Sequence, residues 1–386
     1  MCVRRVSTQT AAITFVLALV VTLASAATGD LLRTLSNPTS PPHSGGDKFG
    51  CVVLGAGNSV LIGAYGDYNE NGVCAGAAYR FDGTTGALLA TFHAPEPKNN
   101  DEFGYSLATF AGSVLVGAPH KQGGGAVYLF GESGNLIKTY NNPTTGTGGF
   151  GSSVAMNSGR VVVTSDADPT PGLYFFDRDT GSLIKHYGGY VHSVATVGDN
   201  FVVGSGYGPV PIYSSDGALV RTLFNPNPVE NERFGWSVAS VGDDILVGAP
   251  KSDGAGAAYL FDGATGSLLM SFQGYGGQFG HSVAGAEGDV VVGAVAAGGF
   301  PTTGKAYLFD GTTGALLATL DSPTGVHLGG FGCSVSSLGS DILVGEQWGT
   351  NGGAAYLFEG VPEPATLSFL ALGGLALLHH RRSASS

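Results

Sequence analysis

The chain has 386 residues, a formal net charge of −12, 65 glycines and only 12% charged residues. Its hydrophobic content of 43% excludes an intrinsically disordered chain and favours a large β protein with glycine-rich turns. The negative charge argues against nucleic acid and anionic membranes as partners.

The first 26 residues have the features of a secretory signal peptide. Arg4 and Arg5 precede an apolar stretch over residues 11–23, and Ala24-Ser25-Ala26 supplies the small residues of a cleavage site. We therefore expect export, with a mature chain that begins at Ala27.

Residues 27–360 consist of one repeated module. Each module starts with an aromatic residue and Gly, continues with a Val-rich run and a Tyr-Leu-Phe run, and ends with an Asp-Gly turn and a Leu-Leu run. The fourth start is degenerate, because Val191 replaces Gly. A period of 40 to 54 residues indicates a solenoid, propeller or array. The seven starts are Phe49, Phe103, Phe150, Tyr190, Phe234, Phe279 and Phe331.

The fifth module shows what each period builds. Its residues 234–239, 244–249, 257–261 and 267–272 are rich in β-branched and aromatic types and are separated by turn residues, which predicts four short strands. Four antiparallel strands in about 45 residues predict a propeller blade. We interpret the Asp of each Asp-Gly turn as structural, because it recurs once per turn.

The position of the first mature strand predicts how the ring closes. Six modules contain a Leu-Leu-x-Thr-like run, whereas the seventh stops at Gly360 without one. The missing run stands at the other end of the chain, where residues 28–35 match residues 313–320. The sequence thus predicts an all-β, seven-bladed β-propeller of four-stranded antiparallel blades, with the last blade closed by the N-terminal strand.

Residues 361–386 contain three parts in a fixed order. Pro362-Glu363-Pro364 precedes an apolar run over residues 365–378 and the polar, basic residues 379–382. This order resembles the PEP-CTERM sorting signal of exported bacterial proteins. The resemblance implies a short transmembrane helix that anchors the precursor in the inner membrane. It also implies cleavage of the tail by an exosortase-type protease and a final location at the bacterial cell surface or outside the cell. A plain membrane tail is the alternative.

Three cysteines remain after removal of the signal peptide: Cys51, Cys74 and Cys333. An odd number leaves at least one thiol free or paired between chains. Cys51 and Cys333 occupy the same position in the first and last modules, so ring closure would make them neighbours. A disulfide between them would need Cα atoms within about 7 Å.

The order Phe-Gly-x-Ser-Val, Val-Gly-Ala-Pro and Ala-Tyr-Leu-Phe resembles the FG-GAP repeats of the integrin α-subunit propeller. Val-Gly-Ala-Pro occurs at residues 116–119 and 247–250, and the resemblance spans nearly the whole mature chain. It implies a seven-bladed ring that binds a partner protein through one face. It also implies that calcium can be held in a loop after Gly-Ala-Pro.

The loop at residues 67–72 approaches the calcium pattern of that family. Asp67, Asn69 and Asn71 place oxygen side chains at alternate positions before Gly72, which could wrap a hard cation. Ala75 stands where the family pattern has an acid, and two of the three candidate ligands are neutral amides. A weak calcium site and a plain polar loop both remain open.

The residue after aromatic-Gly varies most among the modules. If the first strand of each blade lines the centre, as in known propellers, these residues form a ring near one mouth of the channel. In the integrin-like family, aromatic residues at this mouth cage a basic side chain of a partner. Tyr105 and Trp236 are therefore candidate partner-binding residues, with His192 and His281 as secondary members, and packing between blades is the alternative role. The full set is Cys51, Tyr105, Ser152, His192, Trp236, His281 and Cys333.

The sequence lacks a His-x-x-x-His pair on a helix, a Gly-x-Ser-x-Gly elbow and a phosphate-binding Gly loop. We therefore expect an exported recognition protein that binds a protein or an extracellular polysaccharide without catalysis. The alternative is a quinoprotein-like propeller with a redox or scaffold role. Residues 309–317 resemble the turn of those repeats, but the Trp that recurs in them is missing here.

Overall fold

The chain folds into seven four-stranded antiparallel sheets. The structure is a computed structural model that describes residues 27–39, 46–144, 148–166, 171–228, 232–251, 255–274, 277–295, 303–326 and 329–361. The predicted signal peptide and the PEP-CTERM-like segment beyond Val361 lie outside these residues. Across the ranges described, no helix has the length and apolar character needed to cross a membrane.

Each sheet is one blade, and its strands follow one another along the chain. The strands of blades 1 to 3 are β2 (Phe49–Ala56), β3 (Ser59–Ala64), β4 (Ala77–Asp82), β5 (Leu88–Phe92), β6 (Ser106–Phe110), β7 (Ser113–Ala118), β8 (Ala126–Phe130), β9 (Leu136–Asn141), β10 (Phe150–Met156), β11 (Arg160–Ser165), β12 (Gly172–Asp177) and β13 (Leu183–Gly188). Blades 4 to 6 contain β14 (Ser193–Val197), β15 (Asn200–Gly204), β16 (Val210–Tyr213), β17 (Leu219–Leu223), β18 (Ser237–Val241), β19 (Asp244–Ala249), β20 (Ala257–Phe261), β21 (Leu268–Gln273), β22 (Phe279–Ala286), β23 (Asp289–Ala294), β24 (Lys305–Phe309) and β25 (Leu316–Asp321).

Blade 7 is made from both ends of the described chain. It contains β26 (Phe331–Leu338), β27 (Asp341–Glu346), a single 3₁₀ turn (Thr350–Gly352), β28 (Ala354–Phe358) and the N-terminal strand β1 (Leu31–Ser36). β1 pairs antiparallel with β28. The Gly29 N–H donates to the Glu359 carbonyl (2.7 Å), and the Glu359 N–H donates to the Asp30 carbonyl (2.8 Å). The predicted closure by the N-terminal strand is confirmed.

The hydrophobic core lies between the blades. Seven clusters of buried apolar side chains each join two neighbouring blades. In the cluster between blades 7 and 1, Leu35 of β1 belongs with Leu343 and Leu357 of blade 7 and Phe49 of blade 1. Closure of the ring therefore buries the same kind of surface as every other seam.

The aromatic-Gly pair at each module start forms the joint between two blades. Phe103 is fully buried and meets Phe130 of its own blade edge to face, with ring centroids 5.9 Å apart. Gly104 follows with a φ of +91°, and a Cβ there would stand 2.2 Å from the Ala77 carbonyl oxygen of the preceding blade. Only glycine tolerates both this φ and this approach. The same edge-to-face pair recurs as Phe49/Phe81, Phe150/Phe176, Phe234/Phe261, Phe279/Phe309 and Phe331/Phe358.

Blade 4 departs from this pattern, in agreement with its degenerate sequence. Tyr190 stands where the other modules have the buried aromatic residue, and it is 68% exposed. The seam to blade 3 is filled instead by Phe175, whose ring lies 5.9 Å from Phe201 and 5.8 Å from Tyr213. Aromatic burial is thus kept at this seam by different residues.

The predicted first strand of blade 5 is wrong at its start. β18 begins at Ser237 rather than at residue 234 and ends at Val241 rather than at residue 239, whereas β19 and β20 have the predicted bounds. Arg233 and Gly235 have positive φ values of +59° and +79°, and the Trp236 N–H donates to the Arg233 carbonyl at 3.0 Å. The backbone is therefore a tight turn around the aromatic-Gly pair and becomes extended only after Trp236.

The turn before β21 shows why its Asp recurs. The Asp262 carboxylate accepts hydrogen bonds from the N–H (2.6 Å) and the hydroxyl (2.7 Å) of Thr265, and these bonds lower the pKa of Asp262. The Asp262 N–H donates to the Ser267 carbonyl at 2.9 Å. Ser267 therefore belongs to the turn, and β21 begins one residue later than predicted, at Leu268.

Replacement of Leu35 by Ala tests the closure of the ring. Leu35 is buried at the seam between blades 7 and 1, so we expect L35A to lower the free energy of unfolding by about 2–4 kcal/mol. Leu31 lies on the same strand but is exposed, so L31A should change it by less than about 0.5 kcal/mol. Urea unfolding followed by circular dichroism measures both. Equal effects of the two substitutions would contradict the closure.

Candidate binding site

The first strands of the seven blades surround a central channel. Each contacts the first strand of the next blade, and the ring is closed by the contact between β26 and β2. A cavity of about 450 Å³ opens at one end of this channel. All seven residues that follow aromatic-Gly line it, which we name the mouth ring: Cys51, Tyr105, Ser152, His192, Trp236, His281 and Cys333.

Trp236 and the two histidines of the mouth ring form one cluster. The ring centroids of His192 and Trp236 are 3.7 Å apart, and His192 Nδ1–H donates to the Trp236 carbonyl at 2.9 Å. The His281 ring lies 6.0 Å from the Trp236 ring. Burial lowers the pKa of His192 and lowers the pKa of His281 to about 4. Both imidazoles are therefore neutral at pH 7.

Tyr105 lies on another side of the mouth. It belongs to blade 2, three blades away from Trp236, and its ring pairs with Tyr65 at a centroid distance of 5.4 Å. The two main candidates thus share the cavity without sharing a contact in the described part of the chain. Sequence reasoning missed Tyr65. It occupies the position after Gly63-Ala64, which also varies among the modules and could have been compared in the same way.

Arg233 is a second mouth residue that sequence reasoning missed. Its guanidinium carbon lies 4.4 Å from the ring centre of Trp236 and 5.9 Å from that of Tyr207. A cation of the chain itself therefore already stacks on the indole. A basic side chain of a partner, as the family resemblance implies, would have to compete with Arg233 for this ring.

The side of the mouth formed by blades 2 and 3 is acidic. Burial raises the pKa of Tyr105 to about 12, and the charges of Asp166 and Glu102 add to this effect. Glu102 Oε2 also lies 2.9 Å from His120 Nδ1. Asp166 also acts on the pKa of His192, which burial lowers most, so this carboxylate is near the Trp236 cluster as well.

Cys51 and Cys333 line the same cavity as free thiols, and Cys74 is also free. Cys333 Sγ lies 3.5 Å from the carbonyl oxygen of Gly50, so the two mouth cysteines stand on neighbouring strands. Burial raises the pKa of Cys51 and of Cys333 to about 12. Both thiols are therefore protonated at neutral pH and are poor nucleophiles.

The calcium candidate loop does not form a cation cage. Asp67 is buried, and its carboxylate accepts a hydrogen bond from the Tyr79 hydroxyl. The Asn69 side-chain oxygen accepts from the Asn71 N–H at 3.0 Å. These oxygens are committed to donors of the protein, so the residues do not fit a calcium ion as they stand. The described residues contain no group of three His, Cys, Asp or Glu side chains placed to hold a metal ion.

The two ends of the ring expose different apolar groups. Five exposed aromatic residues stand at the mouth end, and one, Phe110, stands at the other end. The five are Tyr105, Tyr190, Tyr207, Phe224 and Trp348. At the other end, the outer strand of every blade begins with two exposed aliphatic residues, and a register shift at the second of them marks a β-bulge. Bulges interrupt the free hydrogen-bonding edge of an outer strand and oppose association between edges. The pairs are Leu31/Leu32, Leu88/Leu89, Leu136/Ile137, Leu183/Ile184, Leu219/Val220, Leu268/Leu269 and Leu316/Leu317.

Two segments of the chain match the FG-GAP repeat family model, residues 88–130 and 219–261. These two segments are similar to FG-GAP repeats. Each matched segment runs from the outer strand of one blade to the third strand of the next and contains one aromatic-Gly joint. The family unit is therefore the seam between two blades together with its flanking strands. The sequence matches no curated protein.

Solved structures share the propeller fold with this chain. The WD40 β-propeller domain of Doa1 is 15% identical, with 86% of this chain and 96% of that chain covered and a TM-score of 0.58. The Cps50 (Swd1) β-propeller domain of Myceliophteria thermophila is 12% identical, with 86% and 99% covered and a TM-score of 0.60. The computationally designed Ika8 protein is 17% identical, with 80% and 82% covered and a TM-score of 0.53. At these identities the likeness shows the fold alone.

Calcium is expected to leave the stability of the protein unchanged. Because the side-chain oxygens of Asp67 and Asn69 already accept hydrogen bonds, millimolar calcium should shift the melting temperature by less than about 1 °C relative to EDTA. Differential scanning fluorimetry in the two buffers measures this shift. A rise of several degrees in calcium that EDTA reverses would contradict the prediction and restore the calcium site.

Proposed function

We propose that this protein is an exported recognition protein that binds a partner at the mouth end of its channel, without catalysis. The partner is a protein or an extracellular polysaccharide. Its location is the bacterial cell surface or the extracellular space, after residues 361–386 have anchored the precursor and an exosortase-type protease has removed them. The observation that carries the proposal is that the side chains that differ most among the seven repeats line one cavity.

The residue types at the mouth suit recognition. The seams use the same Phe-Gly joint in six blades, whereas the mouth presents Trp236, Arg233 and the Tyr65/Tyr105 pair. Trp, Tyr and Arg are the types that contribute most to binding energy at interfaces, because they bury much area and keep a polar group for hydrogen bonds. Tyr105 is 40% exposed and can contact a partner without rearrangement.

Two features of the mouth support binding over chemistry. The thiols of Cys51 and Cys333 are protonated at neutral pH, and the imidazole of His192 is held by its stacking and its hydrogen bond to Trp236. The quinoprotein-like alternative would be supported by a tryptophan that recurs in each blade. Trp236 and Trp348, the two tryptophans of the chain, stand at the mouth end and do not recur in each blade.

Replacement of Tyr105 by Ala tests the proposed binding face. The envelope and matrix fractions of the producing bacterium are immobilised, and binding of the purified residues 27–360 is measured before and after protease or periodate treatment of the fractions. Y105A should weaken binding at least tenfold, about the loss of one binding hot spot, with an unchanged melting temperature. Loss after protease identifies a protein partner, and loss after periodate identifies a polysaccharide.

Leu89→Ser is the matched control. Leu89 is also exposed, but it lies on an outer strand at the opposite end of the ring, so L89S should bind as the unaltered protein does. Loss of binding in L89S with full binding in Y105A would place recognition on the outer strands and would overturn the proposal.

A further inference from the structure

Four long polar side chains stand at strained positions around the mouth. The residue before aromatic-Gly has a positive φ, and glycine supplies it without cost in blades 3 and 7 as Gly149 and Gly330. Four other blades place Lys48, Glu102, Arg233 and Gln278 there, with φ between +56° and +63°. This backbone region is unfavourable for such residues. Glycine would remove the backbone strain at these four positions. Its absence there indicates that the side chains have a function.

Arg233 is the member of this set whose surroundings indicate a ligand. Its guanidinium lies against Trp236 and Tyr207, at 4.4 Å and 5.9 Å from the ring centres. Stacking uses the flat face of the group and leaves the N–H donors at its edge. No ion pair or hydrogen bond joins this guanidinium to another residue in the part of the chain that the structure describes.

The two histidines beside Trp236 add no charge to this side of the mouth, although the Asp166 carboxylate acts on the pKa of His192 and Glu232 precedes Arg233 in the chain. His192 and His281 are neutral at pH 7, because burial lowers the pKa of both. The nearby aromatic face is accessible, since Tyr207 is 68% exposed. The exposed ring of Tyr207 thus stands beside the Arg233 guanidinium. The paired N–H donors of a guanidinium match the two oxygens of a carboxylate or a sulfate.

We propose that the Arg233 side of the mouth binds an acidic saccharide, with the carboxylate or sulfate on Arg233 and a sugar ring against Tyr207. This inference rests on the proposed function and names the ligand class of the same face. Aromatic side chains pack on the apolar C–H face of a sugar ring, while a bidentate arginine holds its acidic substituent. The net charge of −12 gives no long-range attraction for anions, so recognition depends on these short-range contacts.

A saccharide fits this surface better than an acidic peptide does. The large exposed apolar groups at the mouth end are aromatic rings, and the large exposed aliphatic residues lie at the opposite end. The rings are those of Tyr105, Tyr190, Tyr207, Phe224 and Trp348. Exposed flat rings at the rim of the mouth suit sugar rings, whereas peptide side chains are usually anchored in pockets.

Arg233→Gly tests the proposal with two matched probe pairs. Oligogalacturonate is compared with its methyl ester, and dextran sulfate with dextran, so that each pair shares its sugar backbone and differs in its acidic groups. The unaltered protein should bind at least one acidic probe and should bind its neutral counterpart at least tenfold more weakly. R233G should lose at least tenfold in affinity for the acidic probe. Its melting temperature should not fall, since glycine suits the positive φ.

Glu287→Gly is the control for the removal of strain. Glu287 also has a positive φ, +48°, in the turn between β22 and β23 at the opposite end of the ring, so E287G should bind the acidic probe normally. The proposal is overturned if no acidic probe binds, if the neutral probes bind equally, if R233G keeps full affinity, or if hexaglutamate binds as well as the acidic saccharides. In each of these cases the proposed function would still stand if the protein bound the envelope fractions and Y105A weakened that binding.

Discussion

The fold depends on the contact between an aromatic-Gly pair and the blade that precedes it. The aromatic ring fills the seam, and the glycine brings its backbone against a carbonyl of the neighbouring blade, as Gly104 does at Ala77 and Gly280 at Ala257. A side chain at either glycine would push the two blades apart. The contact therefore sets the spacing between blades, and with it the width of the channel and the size of the cavity at its mouth.

The same contact explains why the mouth ring forms. A turn closes around the aromatic-Gly pair in six blades, as the hydrogen bond between Trp236 and Arg233 shows in blade 5, and the first strand runs down the channel from this turn. The residue that follows the pair must therefore face the cavity in every blade. The residue that precedes it must adopt a positive φ, and Arg233 owes its position over Trp236 to this turn.

Much of the fold could be predicted from the sequence, because seven copies of one pattern each predict the same four strands and turns. The phase of the repeat predicted that Leu31–Ser36 would pair with the last module, and the structure confirms it. The local turn at Arg233 could not be predicted, since positive φ is expected of glycine and not of arginine. The contact made by Asp67 could not be predicted either. Its loop has a spacing that resembles a calcium loop, and the sequence does not show that Asp67 accepts a hydrogen bond from the buried hydroxyl of Tyr79.

The candidate site was only partly accessible to sequence reasoning. Comparison of repeats within the chain found the mouth ring, because all its members occupy one position of the module. It did not find Tyr65, Tyr207 or Arg233, since these side chains reach the mouth from loops and turns outside that position. It also treated Tyr105 and Trp236 as members of one cage, whereas they lie three blades apart around the ring.

Hydrogen–deuterium exchange with the bound partner fraction tests most directly whether recognition occurs at the mouth. The account predicts slower exchange at residues 102–106, 190–193 and 232–237 on binding, with unchanged exchange in the outer strands. These segments hold the mouth-ring residues Tyr105, His192 and Trp236. Slower exchange confined to outer strands such as Leu88–Phe92 and Leu268–Gln273, with no change at the mouth, would contradict it.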